Sequence, residues 1–242
     1  KITEMVLECR YPDYTGKTTS RIPRAGLMRL PFGTHVKIHA KSNKPLEQVR
    51  LHYVQSESQF TPGEVTLGSD QQSFTAEFDV DRDQVLNFYL ADTDKIESRE
   101  PERLEIVADE DQSPVLAVRT QGIGSAVTPM ARIPFVGEIT DDYGVERTWF
   151  EITIDDKAPL RKAFARQPGR RPEIAVAEAV EVRELELKPG QRLSLQLHAE
   201  DYYQLGESPN RGSSEQFLLD VVTPDQLRAM LDPDAVKGSS PI

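Results

Sequence analysis

The chain has 242 residues and a formal net charge of −11 at pH 7, from 29 basic and 40 acidic side chains. Because affinity for nucleic acid depends on clustered lysine and arginine, this acidic balance argues against a general nucleic-acid binder. Hydrophobic residues make up 38% of the chain, which is enough for folded cores, and a single cysteine excludes an internal disulfide framework. No apolar run approaches the roughly 20 residues that a membrane-spanning helix needs. The chain begins at Lys1 without a methionine, so we expect a processed or excised piece of a longer protein.

Apolar and polar residues alternate along short runs throughout the first half of the chain. These runs cover residues 5–11, 36–40, 49–53, 74–80, 86–90 and 104–106. Proline, glycine and asparagine separate them, as between short strands joined by turns, so the pattern predicts an antiparallel β-sandwich. Cys9 alternates in phase with Leu7, so we expect it to be a buried packing residue and not a nucleophile.

The same kind of pattern restarts in the second half. Its runs cover residues 133–137, 148–154, 180–187, 193–197 and 217–221. Between two of them, Lys188-Pro189-Gly190-Gln191 has proline and glycine where a type II turn requires them, which predicts a hairpin. A weak internal repeat matches residues 38–40 with 135–137, 46–53 with 145–152, 86–92 with 193–201, and 104–107 with 219–222.

The spacing of this repeat is close to the size of one immunoglobulin-like sandwich. We therefore predict an all-β chain of two tandem Ig-like or fibronectin-like antiparallel sandwiches, covering residues 1–110 and 111–223, joined by the polar segment 108–114. Residues 224–242 are expected to form a short helix and a tail that leads into the rest of a parent protein. Thr223 and Gln226 have the spacing of a capping box, and Asp232-Pro233 should end the helix.

Several local strings are similar to those of a known group of proteins. In the first half they are YPDYTG at 11–16, FGTHVKI at 32–38 and NKPL at 43–46; in the second half they are DDYGV at 141–145, DYY at 201–203 and VTPDQL at 222–227. This arrangement resembles the exported, Ig-like region of large uncharacterised bacterial membrane-anchored proteins. The resemblance implies a place in the cell envelope, outside the cytoplasm, and a scaffold or binding role. It carries over no active-site residue.

Acidic residues cluster at predicted loops, which suggests a calcium site. In an Ig-like sandwich these loops and the entering linker share one pole, where hard oxygen ligands could hold calcium and stiffen the hinge. The candidate ligands are Asp109 and Asp111 in the linker, Asp141 and Asp142 in one loop, and Glu200 and Asp201 in another. Aspartate also favours turns because it caps its own backbone, and this second interpretation needs no metal.

A basic and aromatic set suggests a ligand-binding surface. The basic members are Arg161, Lys162, Arg166, Arg170 and Arg171. They could bind an anionic glycan, a lipid headgroup or an acidic partner, or they could belong to a solvated loop or edge hairpin. Trp149 is out of phase with Phe150, so we expect it to face solvent or the neighbouring domain. With Tyr202 and Tyr203 it could form a platform on which a sugar stacks.

Catalytic signatures are absent from the sequence, which has no Gly-x-Ser-x-Gly elbow, His-Glu-x-x-His motif or phosphate loop. His35 and His39 should lie on one strand and His52 on a strand of the other sheet, so a three-histidine zinc site is not expected. We therefore predict a non-enzymatic spacer or protein-binding scaffold within a larger bacterial envelope protein. Its partners would be other envelope proteins or other parts of the parent chain, with membrane contact only through that parent. The alternative is a β-sandwich module that binds carbohydrate or another ligand.

Overall fold

A computed structural model of the protein describes residues 1–56, 59–167 and 169–231. The chain divides into two compact units, Lys1–Asp111 and Gln112–Ile242. Among the described residues, almost all regular structure in both units is β-strand, and the one α-helix is short. The predicted all-β class, with Ig-like sandwiches and a short C-terminal helix, is confirmed.

The first unit is built from ten strands in two sheets. The strands are β1 (Ile2–Arg10), β2 (Ser20–Pro23), β3 (Leu27–Pro31), β4 (His35–Ser42), β5 (Leu46–Ser56), β6 (Gln59–Gly63), β7 (Thr66–Leu67), β8 (Ser73–Asp79), β9 (Gln84–Asp92) and β10 (Glu102–Asp109). One sheet has the order β2-β1-β4-β8-β7 and the other β3-β10-β9-β5-β6. All pairings are antiparallel except that of β3 with β10, which is parallel.

Period-two alternation places the apolar side chains of both sheets in one core. Leu7, Ile38, Phe88 and Leu104 come from four different strands and are completely buried. Cys9 lies in the same layer, also with no exposed surface, and burial raises the pKa of its thiol to about 11. It is therefore a packing residue, as predicted, because a thiol with so high a pKa forms almost no thiolate at neutral pH.

The described part of the second unit has nine strands. They are β11 (Val115–Thr120), β12 (Ala126–Val127), β13 (Arg132–Thr140), β14 (Val145–Ile154), β15 (Leu160–Ala163), β16 (Glu173–Glu181), β17 (Arg192–Asp201), β18 (Arg211–Ser213) and β19 (Phe217–Val221). The smaller sheet has the order β11-β13-β16, and the larger has the order β12-β19-β17-β14-β15, with β18 paired to β17. Here too one pairing is parallel, that of β12 with β19.

Both units follow one strand order. In each, a short strand near the start pairs in parallel with the last strand, and that strand continues into a row of antiparallel neighbours. The matched strings of the sequence lie on strands of equal place in this order, namely β4 with β13, β5 with β14, β9 with β17, and β10 with β19. The second core contains a cluster of phenylalanines in which Phe135 contacts both Phe150 and Phe217.

The predicted hairpin before residue 192 is wrong. The turn itself exists: the Gln191 amide donates to the Lys188 carbonyl at 3.2 Å, and Gly190 has a φ of +98°. However, Val182–Leu185 forms a 3₁₀-helix and not a strand. The reason is topological, because β16 belongs to the small sheet and β17 to the large one. The connection crosses between sheets, and a hairpin would have kept its two strands in one.

The C-terminal helix α1 (Pro224–Leu231) starts with the predicted capping box. The Gln226 amide donates to Thr223 Oγ1 at 3.2 Å, and the Thr223 amide donates to Gln226 Oε1 at 2.9 Å. None of its residues is buried. Asp232-Pro233 and the predicted tail lie outside the described residues. Within the described part of the chain, no helix has the length and apolar character needed to cross a membrane.

Replacement of Phe135 by alanine should lower the free energy of unfolding of the second unit by about 3–5 kcal/mol, because it leaves a cavity between two other phenylalanines. Urea denaturation followed by tryptophan fluorescence measures this, since the only tryptophan lies in the second unit. Leu218→Ala is the control, because Leu218 is 57% exposed and its loss should change stability by no more than about 0.5 kcal/mol. Equal effects of the two substitutions would contradict this view of the core.

Candidate functional site at the loop pole of the second unit

The structure separates the predicted ligand-binding residues into two places. One is the outer face of the large sheet of the second unit, where side chains of β14, β15, β17 and β18 form rows across the strands. Arg147 lies opposite Glu200, and Glu200 lies opposite Arg211. In the next row Trp149 lies opposite His198. We call these residues, together with Arg161, the arginine ladder.

Trp149 is covered within this ladder, which corrects the prediction that it faces solvent. Its phase was predicted correctly, since it points away from the core that contains Phe150, but only 8% of it is exposed. The His198 ring stacks on it at 5.3 Å between ring centroids. The guanidinium groups of Arg161 and Arg211 lie 5.4 and 5.2 Å from its ring centroid. Trp149 is therefore not an open surface on which a sugar can stack.

His198 is the partner of Trp149 that the sequence analysis did not identify. It is 7% exposed, and its Nδ1 shares a 2.8 Å hydrogen bond with Ser213 Oγ. Burial lowers the pKa of His198, with Glu151 acting in the opposite direction and Arg211 and Arg161 adding to the decrease. A neutral imidazole stacks on the indole without adding a third positive charge to the two guanidinium groups that already contact this ring.

Glu200 belongs to the arginine ladder and not to the predicted calcium set. Its Oε2 lies 2.8 Å from Arg147 Nη2, and its Oε1 accepts hydrogen bonds from Arg211 Nη2 and Nε at 2.8 and 3.2 Å. Neighbouring residues of a strand point to opposite faces, so Glu200 faces outward while Asp201 faces the core. The Glu200 carboxylate therefore neutralises Arg147 and Arg211, and it points away from the carboxylate of Asp201.

Replacement of Trp149 by alanine should lower the free energy of unfolding of the second unit by about 3 kcal/mol, since its ring is buried between an imidazole and two guanidinium groups. Circular dichroism during urea denaturation measures this without depending on the lost fluorophore. Trp149→Phe should recover part of the loss, because a smaller ring still fills the row. An alanine variant as stable as the wild type would mean that the indole is a free surface residue.

The second place is one pole of the second unit, where three segments meet. We call residues 141–144, 169–172 and 201–210 the loop pole. The Asp141 amide donates to the Pro172 carbonyl at 2.9 Å, and the Arg170 guanidinium lies 4.0 Å from the centroid of the Tyr202 ring. A Cβ atom at Gly144, whose φ is +98°, would lie 2.9 Å from the Arg171 amide nitrogen. Glycine is therefore needed for the first two segments to approach each other.

Two carboxylates face the end of the core at this pole. Asp141 continues the inward-facing phase of β13, and Asp201 that of β17, so they come from opposite sheets. Asp141 is 8% exposed and Asp201 1% exposed. Asp141 Oδ1 accepts hydrogen bonds from the amides of Tyr143 and Gly144, and Asp201 Oδ1 from the amides of Tyr203 and Asn210.

The second oxygen of each carboxylate has no such partner. Asp141 Oδ2 and Asp201 Oδ2 are both buried and accept no hydrogen bond from any described residue. Burial, the largest cause, raises the pKa of Asp141 to about 6, and the negative charges of Asp201 and Asp142 raise it further against the effect of the two amide donors. The pole therefore concentrates negative charge in a position shielded from water.

The remaining candidate residues are either exposed or paired elsewhere. Asp142 is exposed, and so are Arg166 and Arg171. Lys162 Nζ lies 2.6 Å from Glu184 Oε2, on the edge strand β15. Asp109 and Asp111 belong to the first unit, where Asp109 Oδ1 accepts a hydrogen bond from Arg29 at 2.9 Å. Tyr203 is half-buried; a Cβ atom at Gly206 would lie 3.2 Å from its ring, so the two residues are in close contact.

Two further places in the first unit were candidates for a metal site: its histidines and an open cleft lined by carboxylates. His35 and His39 lie on β4 and His52 on β5, in different sheets as predicted. An open cleft of about 690 Å³ is lined by Asp79, Asp81 and Asp83, but these carboxylates bond to His35, Gln84 and the Ala108 amide. Among the described residues, no three or more histidine, cysteine or acidic side chains form a metal-binding group.

No family model matches the chain, and no curated protein matches it. Among solved structures, a chicken TCR is 8% identical with a TM-score of 0.29, over 83% of this chain and 99% of that one. The D1–D4 ectodomain fragment of ICAM-5 is 13% identical with a TM-score of 0.32, over 91% of this chain and 52% of that one, so this chain spans about half of that fragment. Matches this distant carry no argument about function. The sandwich fold rests on the strand order of each unit.

Proposed function

We propose that the chain is a non-enzymatic scaffold segment of a larger bacterial envelope protein, and that it binds another protein by adding an extended segment of that partner to a sheet. The observation that carries this proposal is the free edge of β16. Three observations support a structural role for the second unit: its core positions are filled, Trp149 is covered, and Glu200 is paired with arginine. The similarity of the local strings to exported Ig-like regions supports the place in the envelope.

The edge of β16 is long and regular. The strand has nine residues and pairs with β13 without a break in register, from Glu173 opposite Thr140 to Glu181 opposite Arg132. Its other side pairs with no described strand. The nearby Ala165 amide donates to the side chain of Glu178 and not to the backbone of β16. A row of backbone donors and acceptors is therefore open to a partner strand.

Four other edge strands of the two units are protected in the ways that proteins use against unwanted pairing. Strand β2 has four residues and ends at Pro23, β6 contains Pro62, and β7 has two residues. Strand β15 has four residues and carries Arg161 and Lys162. Strand β16 contains no proline, lysine or arginine, and Ala175 and Ala177 on its outer face are exposed. Its alanine side chains leave room for a neighbour, and its charged residues are Glu173, Glu178 and Glu181. Proline and lysine, which oppose the addition of a strand most strongly, are absent from it.

A ligand-binding module is the second candidate, and the loop pole is the place that favours it. The Arg170 guanidinium covers the Tyr202 ring there, and Arg171 is exposed beside it, which suits an anionic glycan or another acidic ligand. Trp149 cannot take part, because it is covered and lies opposite His198. His198 is four residues before Tyr202, which places Trp149 about 13 Å away along an extended strand.

Ala177→Lys should abolish partner capture from a bacterial envelope extract, because a lysine on an edge strand opposes the addition of another strand. The matched control is Ala163→Lys, which places the same charge on an exposed position of the edge strand β15. Affinity capture with quantitative mass spectrometry gives the result, and thermal melting shows that both variants are folded. We expect a loss of at least about tenfold for Ala177→Lys, equivalent to about 1.4 kcal/mol, and none for Ala163→Lys.

Two results would contradict the proposed edge. A partner captured equally by both variants would use another surface. Saturable binding of the wild type to a glycan array, lost on Arg170→Ala and without capture of any protein, would favour the ligand-binding module.

A further inference from the structure

The loop pole has a counterpart in the first unit, and the two can be compared residue by residue. Asp92 lies opposite Leu46, and Asp201 lies opposite Val145, in each case just before a shift in strand register. Four residues before Leu46 is Ser42, and four residues before Val145 is Asp141. The Ser42 amide donates to the Gln72 carbonyl and the Asp141 amide to the Pro172 carbonyl, both directly before the next strand of the same sheet. Ser42 is therefore equivalent to Asp141, and Asp92 to Asp201.

The first unit supplies its own positive charge at this position. Asp92 Oδ1 accepts hydrogen bonds from the amides of Asp94 and Ile96, and its Oδ2 accepts one from Lys44 Nζ at 3.2 Å. The residue of the first unit equivalent to Asp141 is Ser42, which carries no charge. The buried carboxylate is thus fully engaged, with two amides on one oxygen and an ammonium group on the other.

The second unit keeps the amides and lacks the ammonium group. Asp201 Oδ1 again accepts two amide hydrogen bonds, but the residue equivalent to Lys44 is Tyr143. The neutral serine is replaced by Asp141. Two negative charges therefore stand where the first unit has one negative and one positive charge. Both Oδ2 atoms are buried, and neither accepts a hydrogen bond from a described residue.

We propose that Asp141 Oδ2 and Asp201 Oδ2 bind a divalent metal ion, calcium, in the position that the Lys44 ammonium group occupies in the first unit. Burying a carboxylate without a compensating positive charge costs free energy, and here two such carboxylates, one from each sheet, are buried. The metal would join β13 to β17 across the end of the core. This site does not depend on the scaffold role or on the edge of β16.

Calcium is the ion that fits two carboxylates best. It takes six to eight oxygen ligands in flexible geometry and accepts backbone carbonyls and water beside carboxylates. Zinc sites draw three or four ligands from side chains, whereas this pole offers two carboxylates. Since no group of three or more histidine, cysteine or acidic side chains exists among the described residues, an ion here takes its other ligands from backbone carbonyls and water. The site differs from the predicted one: Asp141 and Asp201 remain, Glu200 is removed, and the linker residues are not needed.

The test uses the whole chain at pH 7.5 and follows thermal unfolding of the second unit by the fluorescence of its single tryptophan. We expect 2 mM CaCl₂ to raise the unfolding midpoint by at least about 5 °C over EDTA at matched ionic strength. Asp141→Asn and Asp201→Asn should remove this increase. Asp220→Asn is the matched control, because it deletes the same charge at an exposed site of the same unit and should keep the increase.

A double variant addresses the risk that a single substitution prevents folding. Asp141→Ser with Tyr143→Lys copies Ser42 and Lys44 of the first unit, so it should fold, melt above the calcium-free wild type and ignore calcium. A wild-type midpoint that calcium leaves unchanged would overturn the proposal. It would also be overturned if both asparagine variants kept the increase, or if the double variant gained as much from calcium as the wild type.

Discussion

The structure depends on one constraint: two sheets share each core, so every second residue of a central strand must fill it. Leu195, Leu197 and Ala199 obey this rule along β17, and the next residue in phase is Asp201. At that point the apolar core ends, and a polar side chain takes the inward position. The buried charged groups of the second unit therefore lie where inward-facing positions continue beyond the apolar core. The outward-facing positions of the same strand belong to the arginine ladder.

The same constraint explains how much could be predicted from the sequence. Alternation identified the central strands because it records which side chains are buried. It failed at residues 182–187, where Val182 and Leu187 are buried but the chain is crossing between sheets in a 3₁₀-helix. Alternation reports burial and does not report which sheet a segment joins, so a crossing and a hairpin look alike.

At the candidate sites, local sequence predicted the direction of a side chain better than its surroundings. Trp149 points away from the core as its phase predicted, yet Arg211 covers it from β18, a strand of three residues that is too short to show a pattern. Glu200 and Asp201 look like one acidic pair in the sequence, although strand geometry separates them onto opposite faces. The similarity of Ser42 to Asp141 becomes visible only through strand register, because the two loops share almost no residues.

The parallel pairs that close each unit also decide how it would carry tension. In the first unit β3 and β10 run side by side over five residue pairs, and in the second β12 and β19 over two. Sliding one strand of such a pair along the other strains all of its hydrogen bonds together instead of opening them one after another. A unit closed in this way resists extension, and the second unit, with the shorter parallel pair, is held less firmly.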